Sequence, residues 1–171
     1  MNLVRTIKTV LDRSLEVLVM VVVAVLVLDV LWQVFTRFVL DDPSTWTEEL
    51  AVFLLVWVSL LGAAVALGRG AHLGIDYFVG KLPERTRLAT EVVVFFCVAA
   101  FSLLVMLIGG VDLVRSTLEL GQESPALGVR MGYVYLAVPI SGFFLTLYAA
   151  IGLVERIQGL LKGHPSTDMA R

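Results

Sequence analysis

Four apolar stretches in this chain are each long enough to cross a lipid bilayer, and this feature restricts the possible folds more than any other. They run from Leu15 to Leu40, Glu48 to Leu67, Leu88 to Val111 and Met131 to Val154. A spanning helix needs about 20 predominantly apolar residues to cross a hydrocarbon core of about 30 Å. The sequence shows no alternation of apolar and polar residues that would indicate a β-barrel. With 58% hydrophobic residues, the chain is predicted to be an all-α integral membrane protein with four transmembrane helices.

The first apolar stretch predicts a spanning helix and not a cleaved signal peptide. Arg5, Lys8 and Arg13 precede it, but no small-residue cleavage site follows, and the apolar character resumes beyond Asp29. It is therefore longer than the apolar region of a signal peptide. The pieces outside the four stretches are too short to form a second domain. We predict that residues 1–171 form a single four-helix membrane domain.

The distribution of basic residues predicts the orientation of the chain. Of the 13 lysines and arginines, only Arg37, Arg115 and Arg130 lie near the first and third loops. All the others precede the first helix, lie between the second and third helices, or follow the fourth. The positive-inside rule therefore places both termini in the cytoplasm.

A short amphipathic helix on the cytoplasmic surface is predicted between the second and third helices. The apolar residues that recur there with helical spacing are Ile75, Phe78, Val79 and Leu82. Pro83 ends this helix, and the basic residues around it would contact anionic membrane lipids. His72 precedes the segment, and the only other histidine, His164, is in the C-terminal tail. One chain therefore lacks the ligands for a zinc site or a bis-histidine haem.

Polar residues in the first helix share one broad face. They are Asp29, Gln33, Thr36 and Arg37. An acid within a span is costly and usually faces a partner or water, so Asp29 is a candidate for a functional contact. The alternative is that Asp29 lies close enough to the helix end to reach the headgroup region. Because the polar residues continue along this face to Arg37, we favour a functional or interfacial contact.

Two adjacent acids, Glu48 and Glu49, stand at the start of the second helix. They follow Ser44 and Thr45, which are typical of a helix start, and acids in a first turn are stabilised by the helix dipole. Successive residues on a helix point about 100° apart. Capping therefore accounts for one acid and leaves the other able to bind something else.

Small residues four positions apart recur on the second helix. They are Ser59 with Ala63, and Gly62 with Ala66 and Gly70. Such spacing lets helix backbones approach closely in lipid. The neighbouring helix could belong to the same chain or to a partner, and we favour packing within the bundle.

The sequence lacks the residue patterns of an enzyme. It contains no nucleophile with a nearby base, no phosphate-binding glycine loop and no nucleic-acid motif. Apart from Asp29 and the boundary residue Glu91, the spans contain hardly any ionisable group. We therefore predict an accessory membrane subunit, with no enzymatic activity and no nucleic-acid partner.

The segment from Trp46 to Phe78, WTEELAVFLLVWVSLLGAAVALGRGAHLGIDYF, resembles the small membrane subunit of tripartite ATP-independent periplasmic (TRAP) transporters. The matching features are Trp46, the acids Glu48 and Glu49, Trp57, a Leu-Gly-Ala-Ala step containing Gly62, and Arg69 followed by His72 and Asp76. The segment ESPALGVRMGYVYLAVPIS, from Glu123 to Ser141, is similar to the start of that family's fourth helix.

The resemblance implies an accessory scaffold subunit of a secondary transporter in the inner membrane of a bacterium or archaeon. In that family a periplasmic solute-binding protein delivers an organic acid to a large membrane subunit. The large subunit moves the substrate with an elevator-like motion driven by a sodium gradient, and the small subunit enlarges its fixed scaffold. No cofactor or metal is expected in this chain, because sodium and substrate bind in the large subunit.

The resemblance also implies roles for individual residues. Trp46, Glu48 and Glu49 would help to hold the chain against the large subunit and could offer charge to the docking binding protein. Arg69, His72 and Asp76 would anchor the cytoplasmic end, either within the chain or against the partner.

Two alternatives remain open from the sequence. The first is a small self-assembling transporter or channel that uses Asp29 or Glu91 and acts without a large subunit. The second is a quinone- or haem-bearing membrane anchor of an oxidoreductase, which shares the four-helix form. The missing histidine pair argues against the second alternative.

Overall fold

The computed structural model describes residues 2–42, 44–69 and 84–162. These residues form six α-helices and one π-helical segment and include no β-strand. The helices are α1 (Asn2–Phe38), α2 (Thr45–Gly68), α3 (Glu84–Phe101), α4 (Gly110–Glu119), α5 (Met131–Tyr135) and α6 (Ala137–Lys162), and the π-helical segment Ser102–Gly109 joins α3 to α4. The described part of the chain is therefore all-helical, as the sequence predicts.

Four stretches of the structure are long and apolar enough to cross a bilayer. They are Val10–Phe38, Thr45–Gly68, Thr86–Glu119 and Met131–Gly159. Their number confirms the four predicted transmembrane helices. The third extends beyond the predicted end at Val111, because the helix continues through the charged residues Asp112 and Arg115 to Glu119. Helical hydrogen bonds form equally in polar surroundings, so hydropathy alone places this end too early.

The two ends of the molecule differ in the loops that they carry. The hairpin end carries residues 39–44, between α1 and α2, and residues 120–130, between α4 and α5. The terminal end carries the starts of α1 and α3 and the ends of α2 and α6. The cytoplasmic orientation of this terminal end stays a prediction. The predicted amphipathic helix around Ile75 lies outside the described residues.

The helices are arranged in a row. Among the described helices, α1 packs extensively along α2 alone, and α2 lies between α1 and α6. On its other side α6 packs against α3 and the π-helical segment. As a result α1 exposes large apolar side chains on both flanks, among them Val21, Leu28, Leu31 and Trp32. Such side chains are stable when lipid or another protein covers them.

The buried core lies in the half of the molecule nearer the terminal end. Its members come from α1, α2, α3 and α6: Leu15, Leu61, Ala64, Leu67, Phe95, Tyr148 and Ala149. Glycines bring α6 close to the third span. A Cβ atom on Gly152 would overlap the Phe95 ring, and one on Gly142 would lie 2.8 Å from the Met106 Cβ. Small residues therefore set the distance between these helices, as is usual in lipid.

Two irregular segments face each other near the hairpin end. In the third span the α-helix widens into the π-helical segment Ser102–Gly109. In the fourth span a turn at Leu136 separates α5 from α6, and Pro139 follows without an N–H to donate to the preceding turn. A Cβ atom on Gly110 would lie 3.1 Å from Pro139 Cδ.

Candidate functional site

Glu49 is bound within the chain at the hairpin end. Its Oε2 accepts hydrogen bonds from the Ser124 hydroxyl (3.0 Å), the Ala126 N–H (2.9 Å) and the Leu127 N–H (3.0 Å). A carboxylate accepts stronger hydrogen bonds than an uncharged oxygen does. Glu49 therefore fastens the start of α2 to the loop between α4 and α5.

The loop that Glu49 holds has its own internal hydrogen bonds. The Ser124 N–H donates to the Val129 carbonyl at 2.9 Å, and the Gly128 N–H donates to the Ser124 carbonyl at 3.0 Å. Gly121 and Gly128 have positive φ angles of 61° and 63°, which glycine adopts without strain. The segment after Glu123 is thus a defined turn with its N–H groups directed at one carboxylate.

Glu48 and Trp46 point away from that contact. Glu48 is exposed and forms no ion pair or hydrogen bond with the described residues, and Trp46 is 41% exposed. Between them Thr47 is completely buried and donates to the Ser44 carbonyl at 3.0 Å. The first turn of α2 therefore presents one acid and one tryptophan on its outside while the neighbouring acid is used internally.

Asp29 lies in the contact between α1 and α2. It is 6% exposed, and neither carboxylate oxygen has a hydrogen-bond partner among the described residues. Gln33 and Thr36 follow on the same face, and Thr36 is also buried. Arg37 is exposed, with its guanidinium 6.0 Å from the centre of the Phe38 ring. The structure therefore separates Asp29 from Arg37, the nearest cation on its own helix.

The residues of α2 predicted from the resemblance fall on two faces. Trp57 is partly buried against the core. Ser59 and Ala63 are exposed, and a Cβ atom added to Gly62 would meet nothing within 4 Å. None of the described residues occupies the space beside Gly62, so the packing within the bundle that the spacing of small residues favoured is not found at Gly62 in this part of the chain. Gly68, the last residue of α2, instead faces the Tyr148 ring, which a Cβ atom would approach to 3.1 Å.

A polar cluster joins α1, α2 and α6 at the terminal end. Arg69 donates from Nε (3.0 Å) and from Nη2 (2.8 Å) to Glu16 Oε1. The Tyr148 hydroxyl donates to Asp12 Oδ1 at 2.5 Å. The structure therefore places Arg69 in a contact within the chain. His72 and Asp76, which were predicted to act beside it, lie outside the described residues.

Glu91 is paired with two arginines at the same end. Its Oε1 accepts from Arg87 Nε at 3.1 Å, and its Oε2 lies 2.9 Å from Arg156 Nε. Arg87 is one turn away on α3, whereas Arg156 comes from α6. Glu91 is 8% exposed. Glu91 therefore links α3 to α6 and does not offer its carboxylate as an open ion-binding site.

Sequence reasoning missed the partners of Glu16, Glu49 and Glu91. For Glu91 the arginine one turn earlier was a usable signal, because residues four apart on a helix are neighbours. The other contacts join residues more than 50 positions apart, such as Arg69 with Glu16 and Glu49 with Ser124. A single sequence contains no local pattern from which such pairs follow.

The family model for tripartite ATP-independent periplasmic transporters, DctQ component, matches residues 26–159. The chain belongs to this family. The match includes Asp29, all of α2 and the loop that Glu49 holds, so the resemblance seen in the sequence is confirmed. This DctQ-family chain is therefore a multi-pass inner-membrane component of a TRAP transporter, and it is a transport component rather than an enzyme.

Known relatives of the chain are named after different substrates. It is 28% identical over 162 residues to the sialic acid TRAP transporter small permease protein SiaQ of Vibrio cholerae serotype O1, covering 92% of this chain and 87% of that protein. It is 26% identical over 144 residues to the ectoine TRAP transporter small permease protein TeaB of Halomonas elongata, covering 82% and 72%.

A third relative is a much longer protein. The isethionate TRAP transporter permease protein DctMQ of Oleidesulfovibrio alaskensis is 31% identical over 98 residues, covering 57% of this chain and only 15% of that protein. A segment similar to this chain is therefore part of a larger permease polypeptide in that organism.

Proposed function

We propose that this chain is the accessory scaffold subunit that pairs with the large permease of a TRAP transporter. The transporter would take up an organic acid delivered by a periplasmic solute-binding protein, driven by a sodium gradient. Sodium and substrate would bind in the large permease, and this chain would hold no cofactor. Its terminal end, where most of the basic residues lie, would face the cytoplasm.

The observation that carries this proposal is the open face of α2. Ser59 and Ala63 are exposed there, and among the described residues 2–42, 44–69 and 84–162 no atom lies within 4 Å of a Cβ placed on Gly62. Large apolar side chains on the neighbouring α1 are exposed as well. Small residues let a second helix approach closely, which is how helices associate in lipid. A helix of the large permease fits this face.

The long relative supports the choice of partner. In DctMQ the segment similar to this chain occupies a small share of a permease polypeptide. Two proteins that can be joined in one chain in one organism commonly contact each other as separate chains in another. We infer that the remainder of such a permease corresponds to the large subunit that α2 contacts.

The hairpin end would supply a second contact. Trp46 and Glu48 are both exposed in the first turn of α2, whereas Glu49 is held by the loop after Glu123. We therefore assign the contact with the large permease or the docking binding protein to Glu48 and Trp46. Glu49 acts indirectly, because it fixes the first turn of α2 from which they project.

The terminal end would be held mainly within the chain. Arg69 is already bound to Glu16, so its role is to fasten α2 to α1. His72 and Asp76 follow directly and would extend this anchor or reach the partner. The basic residues at this end would contact anionic lipids.

The test is co-purification of the large permease with the tagged chain from native membranes. Ala63→Trp places a large ring on the open face of α2 and should abolish co-purification and solute uptake. Ala89→Trp is the matched control, because Ala89 is an exposed alanine on α3, and it should leave both unchanged. Retention of the large permease by the Ala63→Trp protein at the wild-type level would contradict the proposed interface.

The same purification tests the alternative of a self-assembling transporter. The paired state of Glu91 makes it an unsuitable ion site, which leaves Asp29 as the candidate for that alternative. Uptake by liposomes that contain the purified chain alone would favour it. Uptake only after addition of the large permease would support the scaffold role.

A further inference from the structure

The contact surface of α1 changes character along its length. The least exposed residues recur at alternating intervals of four and three: Leu15, Val19, Val22, Leu26, Asp29, Gln33 and Thr36. This spacing gives a narrow seam against one neighbouring helix, here α2. The first four positions are apolar. From Asp29 to the hairpin end every position of the seam is polar.

The carboxyl group of Asp29 is enclosed by this seam without a partner. Both oxygens are buried and neither accepts a hydrogen bond from the described residues. Besides Asp29, the charged residues with described side chains on α1, on α2 and at the residue directly after α2 are Asp12, Arg13, Glu16, Arg37, Glu48, Glu49 and Arg69. Arg69 is bound to Glu16, and Arg37 lies against Phe38. None of these groups forms an ion pair with Asp29 in the described structure.

Asp29 lies well before the end of α1 at the hairpin end. It precedes Phe38 by nine residues, which at the helical rise corresponds to about 14 Å along the axis. An aspartate side chain is far shorter than that. An ionised carboxylate buried without a cation or a hydrogen-bond donor is so costly that such a group takes up a proton instead.

Hydroxyl groups connect the seam with the hairpin end. Thr36 Oγ1 and Ser44 Oγ lie 3.5 Å apart, and Ser44 Oγ and Thr47 Oγ1 lie 2.7 Å apart. Thr36 is seven residues beyond Asp29, or about 10 Å along the helix, with Gln33 between them on the same face. Hydroxyl and amide groups both donate and accept hydrogen bonds. They can therefore bind water molecules, through which a proton would pass between Asp29 and the solution.

We propose that Asp29 is a proton-binding site within the α1–α2 seam. The seam closes on the neutral carboxylic acid, and the proton exchanges with the solution at the hairpin end past Gln33, Thr36 and Ser44. When the proton leaves, the carboxylate needs water, and α1 separates from α2 to admit it. This proposal does not depend on the large permease, because every group involved belongs to this chain.

The direct test is infrared spectroscopy of the full chain in lipid bilayers at neutral pH. A protonated carboxyl gives a C=O stretching band that moves in D₂O, and the band of Asp29 should disappear in Asp29→Asn. Glu91→Gln is the matched control: Glu91 is equally buried but paired with arginines, so its removal should leave the band unchanged. Identical spectra for the wild type and Asp29→Asn in this region would overturn the proposal.

A second measurement follows unfolding by detergent between about pH 5 and about pH 9. In the folded chain Asp29 keeps its proton, whereas in the unfolded chain it releases the proton. Stability therefore falls as pH rises. The wild type should therefore lose stability toward alkaline pH, and Asp29→Asn, which has the shape of the neutral acid, should lose markedly less. Equal loss in the two proteins would show that Asp29 is not the group responsible.

Discussion

Asp29 and Glu91 are two acids buried to nearly the same extent, at 6% and 8% exposure, in opposite surroundings. Glu91 lies between Arg87 and Arg156 and joins α3 to α6. Asp29 lies between α1 and α2 with no partner among the described residues. Burial therefore does not tell what a membrane acid does. The neighbours decide whether it is a structural link or a group that must change its charge.

The helix contacts that surround these two acids also differ in how closely the helices pack. The contact between α3 and α6 is close, because Gly152 lets the Phe95 ring lie against its backbone. The contact between α1 and α2 is a single seam with most of α1 outside it. The half of the molecule around Glu91 thus has the features of a fixed frame, and the half around Asp29 has one helix that is held on one side only.

The largest effect is expected from filling the α3–α6 contact. Gly152→Val should destabilise the chain by about 3 kcal/mol, because the new side chain overlaps Phe95. The matched change Gly62→Val adds the same atoms where the chain offers open space, and it should leave the stability nearly unchanged. Thermal unfolding in detergent measures both. Similar midpoints for the two variants would mean that the α3–α6 contact is not as tight as described.

A smaller loss is expected from removing the link that Glu91 provides. Glu91→Gln leaves two arginines close together without their counter-charge and should cost about 2 kcal/mol, less than a fully buried pair because Arg87 is half exposed. Adding Arg156→Gln to Glu91→Gln should recover part of the loss. If the double variant is as unstable as the sum of the single variants, the two side chains are not coupled.

A comparison of Glu49 with Glu48 extends the same idea to the hairpin end. Glu49→Ala removes the acceptor for three hydrogen bonds and should cost about 1.5 kcal/mol. Glu48→Ala should change the stability of the chain by less than about 0.5 kcal/mol, as expected of an exposed residue. Co-purification of the large permease should rank the two variants in the opposite order. Glu48→Ala should retain less of the large permease per folded chain than Glu49→Ala does.

The smallest effect on stability is expected at Asp29. Near neutral pH, Asp29→Asn should match the wild type to within about 0.5 kcal/mol, because it replaces a neutral acid by a neutral amide of the same shape. Detergent unfolding at one fixed pH measures it. A loss as large as that of Glu91→Gln would place Asp29 in the same structural class as Glu91 and remove the contrast between them.

Hydropathy and charge predicted the four helices because both are local properties of the chain. The start of α2 followed in the same way from Ser44 and the acids after it. The sequence did not predict which of Glu48 and Glu49 is bound within the chain. That depends on the N–H groups of Ala126 and Leu127, which lie far along the chain. The order of the helices in the row was also out of reach, since long connections leave many arrangements open.

The row of helices has a mechanical consequence at the two membrane surfaces. Charged side chains are exposed at the hairpin end, as at Asp42 and Glu48, and at the terminal end, as at Arg13 and Arg69. Bringing such a residue to the middle of a bilayer costs about 2.5–3.5 kcal/mol. A displacement along the bilayer normal, in either direction, therefore moves charge toward the hydrocarbon, and the cost rises with every helix in the row. The charges at both ends therefore oppose displacement of the subunit along the bilayer normal, and a large permease bound to it would be held at the same depth.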